Sequence, residues 1–166
     1  MSPENIEKLQ HYFNVIVQGV PTSLGLTAVA LVVAFFLAIG LTFLLSMENK
    51  PVKWAVNSYL TLFTGTPLLV QFFLIYAGPG QFEWITQSPM WSLLSNAWFC
   101  AMLTLALNSA AYSTLLFHGA VKAISKGQWE SCAALGLSRL QTLKILIPYA
   151  LKRALPSYSN EIMLVF

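Results

Sequence analysis

Two long stretches without a charged residue dominate this sequence. No Asp, Glu, Lys or Arg occurs between Lys8 and Glu48, or between Lys53 and Glu83. Within the first stretch, residues 24–45 are almost wholly apolar, and at about 1.5 Å per residue they can cross about 30 Å of hydrocarbon. A soluble fold cannot hide this much apolar surface, so the pattern predicts an integral membrane protein.

The overall composition supports the same class. Hydrophobic residues make up 57% of the chain and charged residues 9%, against about a quarter charged in soluble domains. The net charge of +3 comes from cations in short polar segments beside apolar runs, so nucleic-acid binding is not expected. Cys100 and Cys132 lack a CxxC or metal-ligand spacing, which favours apolar packing over a metal or disulfide role. No cofactor is expected.

Breaks in the apolar pattern divide the chain into segments. Thr64-Gly65-Thr66-Pro67 interrupts the second uncharged stretch, because proline lacks the N–H that continues a helix. Gly78-Pro79-Gly80 ends it with a strong turn signal. Lys and Arg concentrate after the first and third apolar runs, so the positive-inside rule places the N-terminus in the periplasm.

These signals predict an all-α membrane bundle with three clear spans, a cytoplasmic segment and the start of a fourth span. The predicted segments are a periplasmic N-terminus (1–19), a first span (20–46), a cytoplasmic turn (47–53), a second span kinked at Pro67 (54–77), a periplasmic interfacial segment (78–96), a third span (97–120), a cytoplasmic coupling loop (121–148) and a fourth span that begins at 149 and is cut off at 166.

The cytoplasmic segment carries the sharpest local pattern. Ser125 with Gln128, and Ser138 with Gln141, fit capping boxes at the starts of two short helices, and the second meets Pro148 and then Pro156. Trp129, Cys132, Ala133 and Gly136 fall on one face of the first of these helices. Gly136 also suits the left-handed position after its last turn. Such a surface helix could present this face to a partner, or could simply rest on lipid headgroups.

Several motifs resemble those of binding-protein-dependent ABC importer permeases of the polar amino acid branch (HisMQ type). Residues 130–136, with Glu130 and Gly136, followed by 145–148, are similar to the EAA loop of that family, in which small residues follow the Glu. Residues 63–71 resemble its Arg-Gly-Thr-Pro-Leu-Leu-Val-Gln signature. Departures from the family pattern are Thr64 for Arg, Leu115 for Glu and His118 for Arg.

The resemblance implies a type I ABC transmembrane domain over about 20–166, in a bacterial inner membrane. It implies an ATP-driven amino acid importer, with arginine as the expected substrate, and a chain that lacks its C-terminal part. The implied partners are ATP-binding subunits, a second permease subunit, a periplasmic amino-acid-binding protein and membrane lipid, and the departures favour a heterodimer. The implied ATPase-coupling residues are Gln128, Glu130, Ser131, Cys132 and Gly136.

Five polar residues within the spans are candidates for the substrate path. Asn160 and Glu161 open the predicted fourth span, where a carboxylate is costly and usually faces a cavity or a partner. Headgroup water around Glu161 is the alternative. Gln71, Asn108 and Tyr112 could contact substrate, although hydrogen bonds between helices are the usual reason for such side chains.

Other functions stay open at this point. A secondary transporter or channel usually needs ionisable groups deep within its spans, and the three clear spans contain none. A non-transporting membrane anchor would explain the docking loop but not the broken helix at Pro67. No catalytic residues are expected, and no Gly-x-x-x-x-Gly-Lys-Ser/Thr loop occurs, so ATP hydrolysis is expected on a partner chain.

Overall fold

A computed structural model describes residues 3–165, without the side chains of residues 3–7, 9 and 164. Met1, Ser2 and Phe166, at the outer ends of the predicted first and last segments, lie outside the described residues. The predicted all-α class is confirmed, since the described chain folds into α-helices and one 3₁₀ turn. In chain order the helices are α1 (Pro3–Ser46), α2 (Lys50–Gly65), α3 (Leu68–Ala77), α4 (Glu83–Thr86), α5 (Trp91–Leu94), α6 (Ala97–Lys122), α7 (Lys126–Ala134) and α8 (Arg139–Val165).

Two helices are long and apolar enough to cross a membrane: α1, over Gln10–Ser46, and α6. α2 and the segment Leu68–Gln81 meet the same criteria only as a pair, and they are bent by 108° at the break between them. The described part of the chain therefore holds two candidate spans, or three if the bent pair crosses as one. The predicted topology with three spans requires the latter.

Large apolar side chains cover the outside of this bundle. Phe13, Ile16 and Phe36 on α1, and Leu69 and Phe73 on α3, are each at least 64% exposed. Exposed apolar side chains in such number would promote association in water, whereas lipid tails solvate them. The surface therefore suits a bilayer.

The central packing joins α1 to α6 through small side chains. Residues at intervals of four on α1 are buried, so the two backbones approach closely, as is typical of membrane helices. The fully buried residues of α1 are Ala30, Ala34, Ala38 and Thr42, and those of α6 include Ala106, Ala110, Ser113 and Phe117.

The segment predicted to lie at the periplasmic interface, 78–96, contains no long helix. It folds as a 3₁₀ turn (Pro79–Gln81) followed by the single-turn helices α4 and α5. Trp84 is 73% exposed and Trp91 is half-buried. Exposed tryptophan is common at membrane–water interfaces.

The last helix corrects one expectation. The sequence predicted a short surface helix in the coupling loop (121–148) and a separate span from residue 149, but α8 runs unbroken from Arg139 to Val165 through Pro148 and Pro156. The helix continues because one of its faces is buried along a continuous stripe. This packing stabilises the helix more than the loss of backbone hydrogen bonds at the two prolines destabilises it. The buried residues of this stripe are Leu143, Leu146, Ile147, Ala150, Ala154 and Tyr158.

Candidate functional site

The break between α2 and α3 follows directly from Pro67. A helix would join the N–H of residue 67 to the carbonyl of Phe63, and proline has no N–H to donate. Gln71 Nε2 donates to Phe63 O at 2.9 Å, and Asn108 Nδ2 donates to the same oxygen at 3.1 Å. Two side-chain amides thus replace the missing backbone donor, as an irregular segment at membrane depth requires.

The same two amides also bond to each other and to the turn. Asn108 Nδ2 donates to Gln71 Oε1 at 3.1 Å, and Gln71 Nε2 lies 3.0 Å from Thr66 O and 2.8 Å from Thr66 Oγ1. The Tyr112 hydroxyl donates to Thr64 O at 3.3 Å. Gln71, Asn108 and Tyr112 therefore hold the broken helix against α6, which is the structural role weighed for them from the sequence.

Two of these residues also line a cavity with a carboxylate. Asn108 and Tyr112 share a cavity of about 310 Å³ with Glu161 of α8. Apolar side chains complete its wall, from Leu68, Leu105 and Val165. Within the described residues, no Lys, Arg or His lies within 4 Å of the Glu161 carboxylate. The cavity therefore offers an uncompensated negative charge beside an amide and a hydroxyl.

The remaining predicted substrate-path residues stand apart from this cavity. Gln71 is buried behind Asn108 and supports it without lining the space. Asn160 is exposed and does not line the cavity. The apolar residues of the wall could not be predicted from the sequence, because nothing there distinguishes them from other span residues. Their position at the cavity depends on how α3, α6 and α8 pack together.

The predicted coupling segment forms α7 and ends in a glycine turn. Gly136 has a φ of +70°, a left-handed conformation that side chains with a Cβ rarely adopt. Its N–H donates to Ala133 O at 2.9 Å, and the Leu137 N–H donates to Cys132 O at 3.2 Å. These two bonds define a Schellman motif, so the prediction for Gly136 is confirmed.

The two predicted capping boxes have different outcomes. Ser138 N donates to Gln141 Oε1 at 2.8 Å, and Gln141 N donates to Ser138 Oγ at 3.4 Å, as predicted. Ser125 precedes α7, but its side chain makes no capping hydrogen bond, so that prediction is wrong. Gln128, the partner of Ser125 in that predicted box, is half-buried on α7.

The outward face of α7 also differs from the expected one. Cys132 is 8% exposed and Trp129 is half-buried against the same core cluster, which includes Leu143 and Ile147. These residues pack α7 against the bundle, so little of their surface is exposed for contact with a partner. The open face of α7 consists of exposed residues at intervals of three and four, namely Gly127, Glu130, Ser131 and Ala134. Leu135, the next residue in the chain, is 77% exposed.

Charged residues make contacts within α7 and beside it. Glu130 pairs with Lys126 of the same helix at 3.3 Å on the exposed surface. Arg139 pairs with Glu48 at 3.2 Å, donates to Ser46 O at 3.2 Å, and lies 5.5 Å from the ring centre of Trp129. Arg139 thus connects the C-terminal end of α1 to the start of α8 and to α7.

Comparison with known families gives this geometry a context. Residues 30–166 match the family described as the binding-protein-dependent transport system inner membrane component. The chain belongs to this family. The resemblance noted from the EAA-like loop and the 63–71 signature is thereby confirmed, and so is the function of a transport-system permease in the inner membrane.

Individual relatives are similar over most of the chain. Two are arginine ABC transporter permease proteins named ArtM. The one from Haemophilus influenzae is 81% identical over 157 residues, covering 95% of this chain and 69% of the relative. The one from Escherichia coli K12 is 55% identical over 156 residues, covering 93% and 70%. A crystal structure of an amino acid ABC transporter with histidines superposes with a TM-score of 0.78 at 27% identity, covering 99% of this chain and 72% of that one.

Proposed function

We propose that this permease forms half of the translocation path of an ATP-driven importer for arginine. The observation that carries the proposal is the cavity between α3, α6 and α8, in which Glu161 lies beside Asn108 and Tyr112 and no cationic side chain among the described residues is within 4 Å of its carboxylate. A carboxylate can bind a guanidinium through two parallel hydrogen bonds, and such pairs are strongest where water is partly excluded. The names of the two ArtM relatives support the same substrate.

The size and lining of the cavity suit one small molecule. Its volume of about 310 Å³ is close to the lower end of the range for small-molecule sites, roughly 300–1,000 Å³. Apolar side chains from three helices surround the polar groups, which fits the aliphatic part of an amino acid. The path would be completed by a second permease subunit, which we propose to be a different chain because Thr64, Leu115 and His118 replace charged residues of the family pattern.

Coupling to ATP hydrolysis would run through α7. We expect a separate ATPase subunit to dock on the open face that carries Glu130 and Ser131, with Gly136 setting the direction of the chain that leaves it. Cys132 and Trp129 hold the helix to the bundle from the other side, so a push on α7 would pass to α8 and, through Arg139, to α1. A periplasmic binding protein would deliver the substrate, with the N-terminus on its side of the membrane.

Reconstituted uptake tests this proposal. Proteoliposomes holding the complete complex and internal ATP should accumulate labelled arginine, and vesicles that lack the ATPase subunit should not. Dissipating the proton gradient while ATP is held constant should leave the initial rate unchanged. Accumulation without ATPase, or its loss with the proton gradient, would instead indicate a secondary transporter or channel. Absence of uptake with every partner present would favour a membrane anchor.

A further inference from the structure

A second cavity, of about 430 Å³, lies at the opposite end of α6 from its N-cap. The end of α1 (Leu45 and Ser46), the first turns of α2 (Lys53 and Asn57) and the last turns of α6 contribute to its wall. In the proposed topology these three helix ends are at the cytoplasmic surface. The proposed coupling uses Arg139 at the edge of this cavity but assigns no role to its lysines, and the cavity shares no lining residue with the cavity of Glu161.

Cations converge on this cavity, and none of the described residues that line it is acidic. Lys53 of α2, Lys122 of α6 and Arg139 of α8 all line it, together with His118. Arg139 is already paired with Glu48, which is outside the lining. Within the described residues, neither lysine has an acidic partner within 4 Å. Two positive charges from different helices are therefore uncompensated.

The cationic groups come from separate helices and meet only at this cavity. Lys53 is on α2 and Lys122 is one helical turn after His118 on α6, and all three side chains line the same space. Gathering like charges at one place is unfavourable in the absence of a counterion, and an anion would relieve the repulsion. Asn57 and the indole of Trp129 add polar groups that can donate to an anion's oxygens.

We infer that this cavity binds a phosphate group, and that its source is the headgroup of an anionic phospholipid in the cytoplasmic leaflet. Lysine is a common phosphate ligand, and basic pockets between membrane helices on the cytoplasmic side bind anionic headgroups. Apolar side chains, from Leu45, Leu60 and Leu115, lie beside the cations, where an acyl chain would continue from the headgroup. Free phosphate shares the charge and the oxygens but would leave that apolar part of the wall uncovered.

Native mass spectrometry of the full-length protein, with any subunits that copurify, tests the site. After delipidation, the protein would be titrated with phosphatidylglycerol, with phosphatidylethanolamine and, in a separate arm, with inorganic phosphate. We expect a preference for phosphatidylglycerol that falls about 25-fold in K53Q/K122Q, because each lysine at an anionic surface contributes a factor of about five. The matched control K144Q/K152Q removes the same charge from lysines that do not line the cavity, and should keep the preference.

The outcomes separate the possibilities. The phosphate site would be supported if inorganic phosphate competes with the phospholipid and this competition is lost in K53Q/K122Q but not in the control variant. Binding of phosphate without any lipid preference would overturn the assignment to a headgroup. Equal loss in both double variants, or equal binding of the two lipids, would overturn the site itself. The single variants K53Q and K122Q, each expected to lose about fivefold, serve if the double variant is unstable. Since binding is measured without transport, failure of the importer proposal would not alter the result.

Discussion

Asn108 donates a hydrogen bond from Nδ2 to Oε1 of Gln71 at 3.1 Å, joining α6 to α3 at the point where the membrane helix is broken. Gln71 Nε2 in turn forms hydrogen bonds with the turn, at Phe63 O, Thr66 O and Thr66 Oγ1. The proline that breaks the helix and the amides that repair the break are thus parts of one arrangement. The same arrangement positions Asn108 at the edge of the cavity that contains Glu161.

Removing the Gln71 amide should destabilise the break more than removing that of Asn108. Gln71→Leu leaves Thr66 O without its side-chain donor, whereas Asn108→Leu leaves Phe63 O still bonded to Gln71. We expect losses of about 2 and about 1 kcal/mol in the free energy of unfolding, measured by SDS titration in mixed micelles. Gln81→Leu, at an exposed position in the 3₁₀ turn, should change it by less than about 0.5 kcal/mol. Equal values for Gln71→Leu and Gln81→Leu would contradict this account.

Neutralising Glu161 should weaken arginine recognition. Glu161→Gln keeps the shape and one acceptor but removes the charge that pairs with a guanidinium, so the apparent KM for arginine uptake should rise about tenfold or more. The control Glu83→Gln makes the same chemical change at an exposed site on α4, and its KM should match the unmodified protein. An unchanged KM in Glu161→Gln would remove Glu161 from the binding site.

Local sequence rules predicted those features of the fold that depend on few residues. Pro67 predicted the helix break, and Gly136 predicted the left-handed turn, because each acts through its own backbone chemistry. The expected division between a short loop helix and a fourth span from residue 149 is absent from α8, since a buried stripe along the helix outweighed the local effect of Pro148. A local rule therefore failed where packing over several turns opposed it.

The site shows the same division. Helical spacing correctly grouped Trp129 with Cys132, but it could not tell whether their shared face meets the bundle or a partner, and the structure places it against the bundle. Asn108 and Tyr112, four residues apart, were expected to share a face of α6. Their proximity to Glu161 depends on how α8 packs against α6. A local sequence pattern cannot predict a contact between residues so far apart in the chain.

The orientation of α7 predicts different reactivities for two adjacent positions. Cys132 is a buried free thiol, so a maleimide should label it slowly. A cysteine introduced by Ser131→Cys, on the open face, should react at least about tenfold faster, as followed by mass spectrometry. Addition of the ATPase subunit should protect the new thiol and leave Cys132 unaffected. Comparable rates at both positions would mean that α7 is turned the other way.

Two glycines of the coupling segment should respond oppositely to alanine. A Cβ at Gly136 meets no neighbouring atom, but its φ of +70° strains any L-residue, so Gly136→Ala should cost about 1–2 kcal/mol. Gly127 lies within α7 with open space around it, and alanine there should stabilise the helix by about 0.5–1 kcal/mol. Thermal unfolding in detergent measures both. A Gly136→Ala protein as stable as Gly127→Ala would contradict the assigned turn.

Leu135 is the most exposed large apolar side chain among the described residues, at 77%, and it directly follows α7. Its position next to the open face of α7 suits it to contact an ATPase subunit, because burying an exposed apolar side chain against a partner is favourable. Leu135→Ser should therefore reduce ATP-driven uptake at least about fivefold, with the melting temperature unchanged since the side chain packs little within the bundle. The matched variant Leu140→Ser, at a leucine that is 50% exposed on the first turns of α8, should keep near-normal uptake. Co-purification gives a second readout, and retention of both uptake and ATPase binding in Leu135→Ser would place the contact elsewhere on α7.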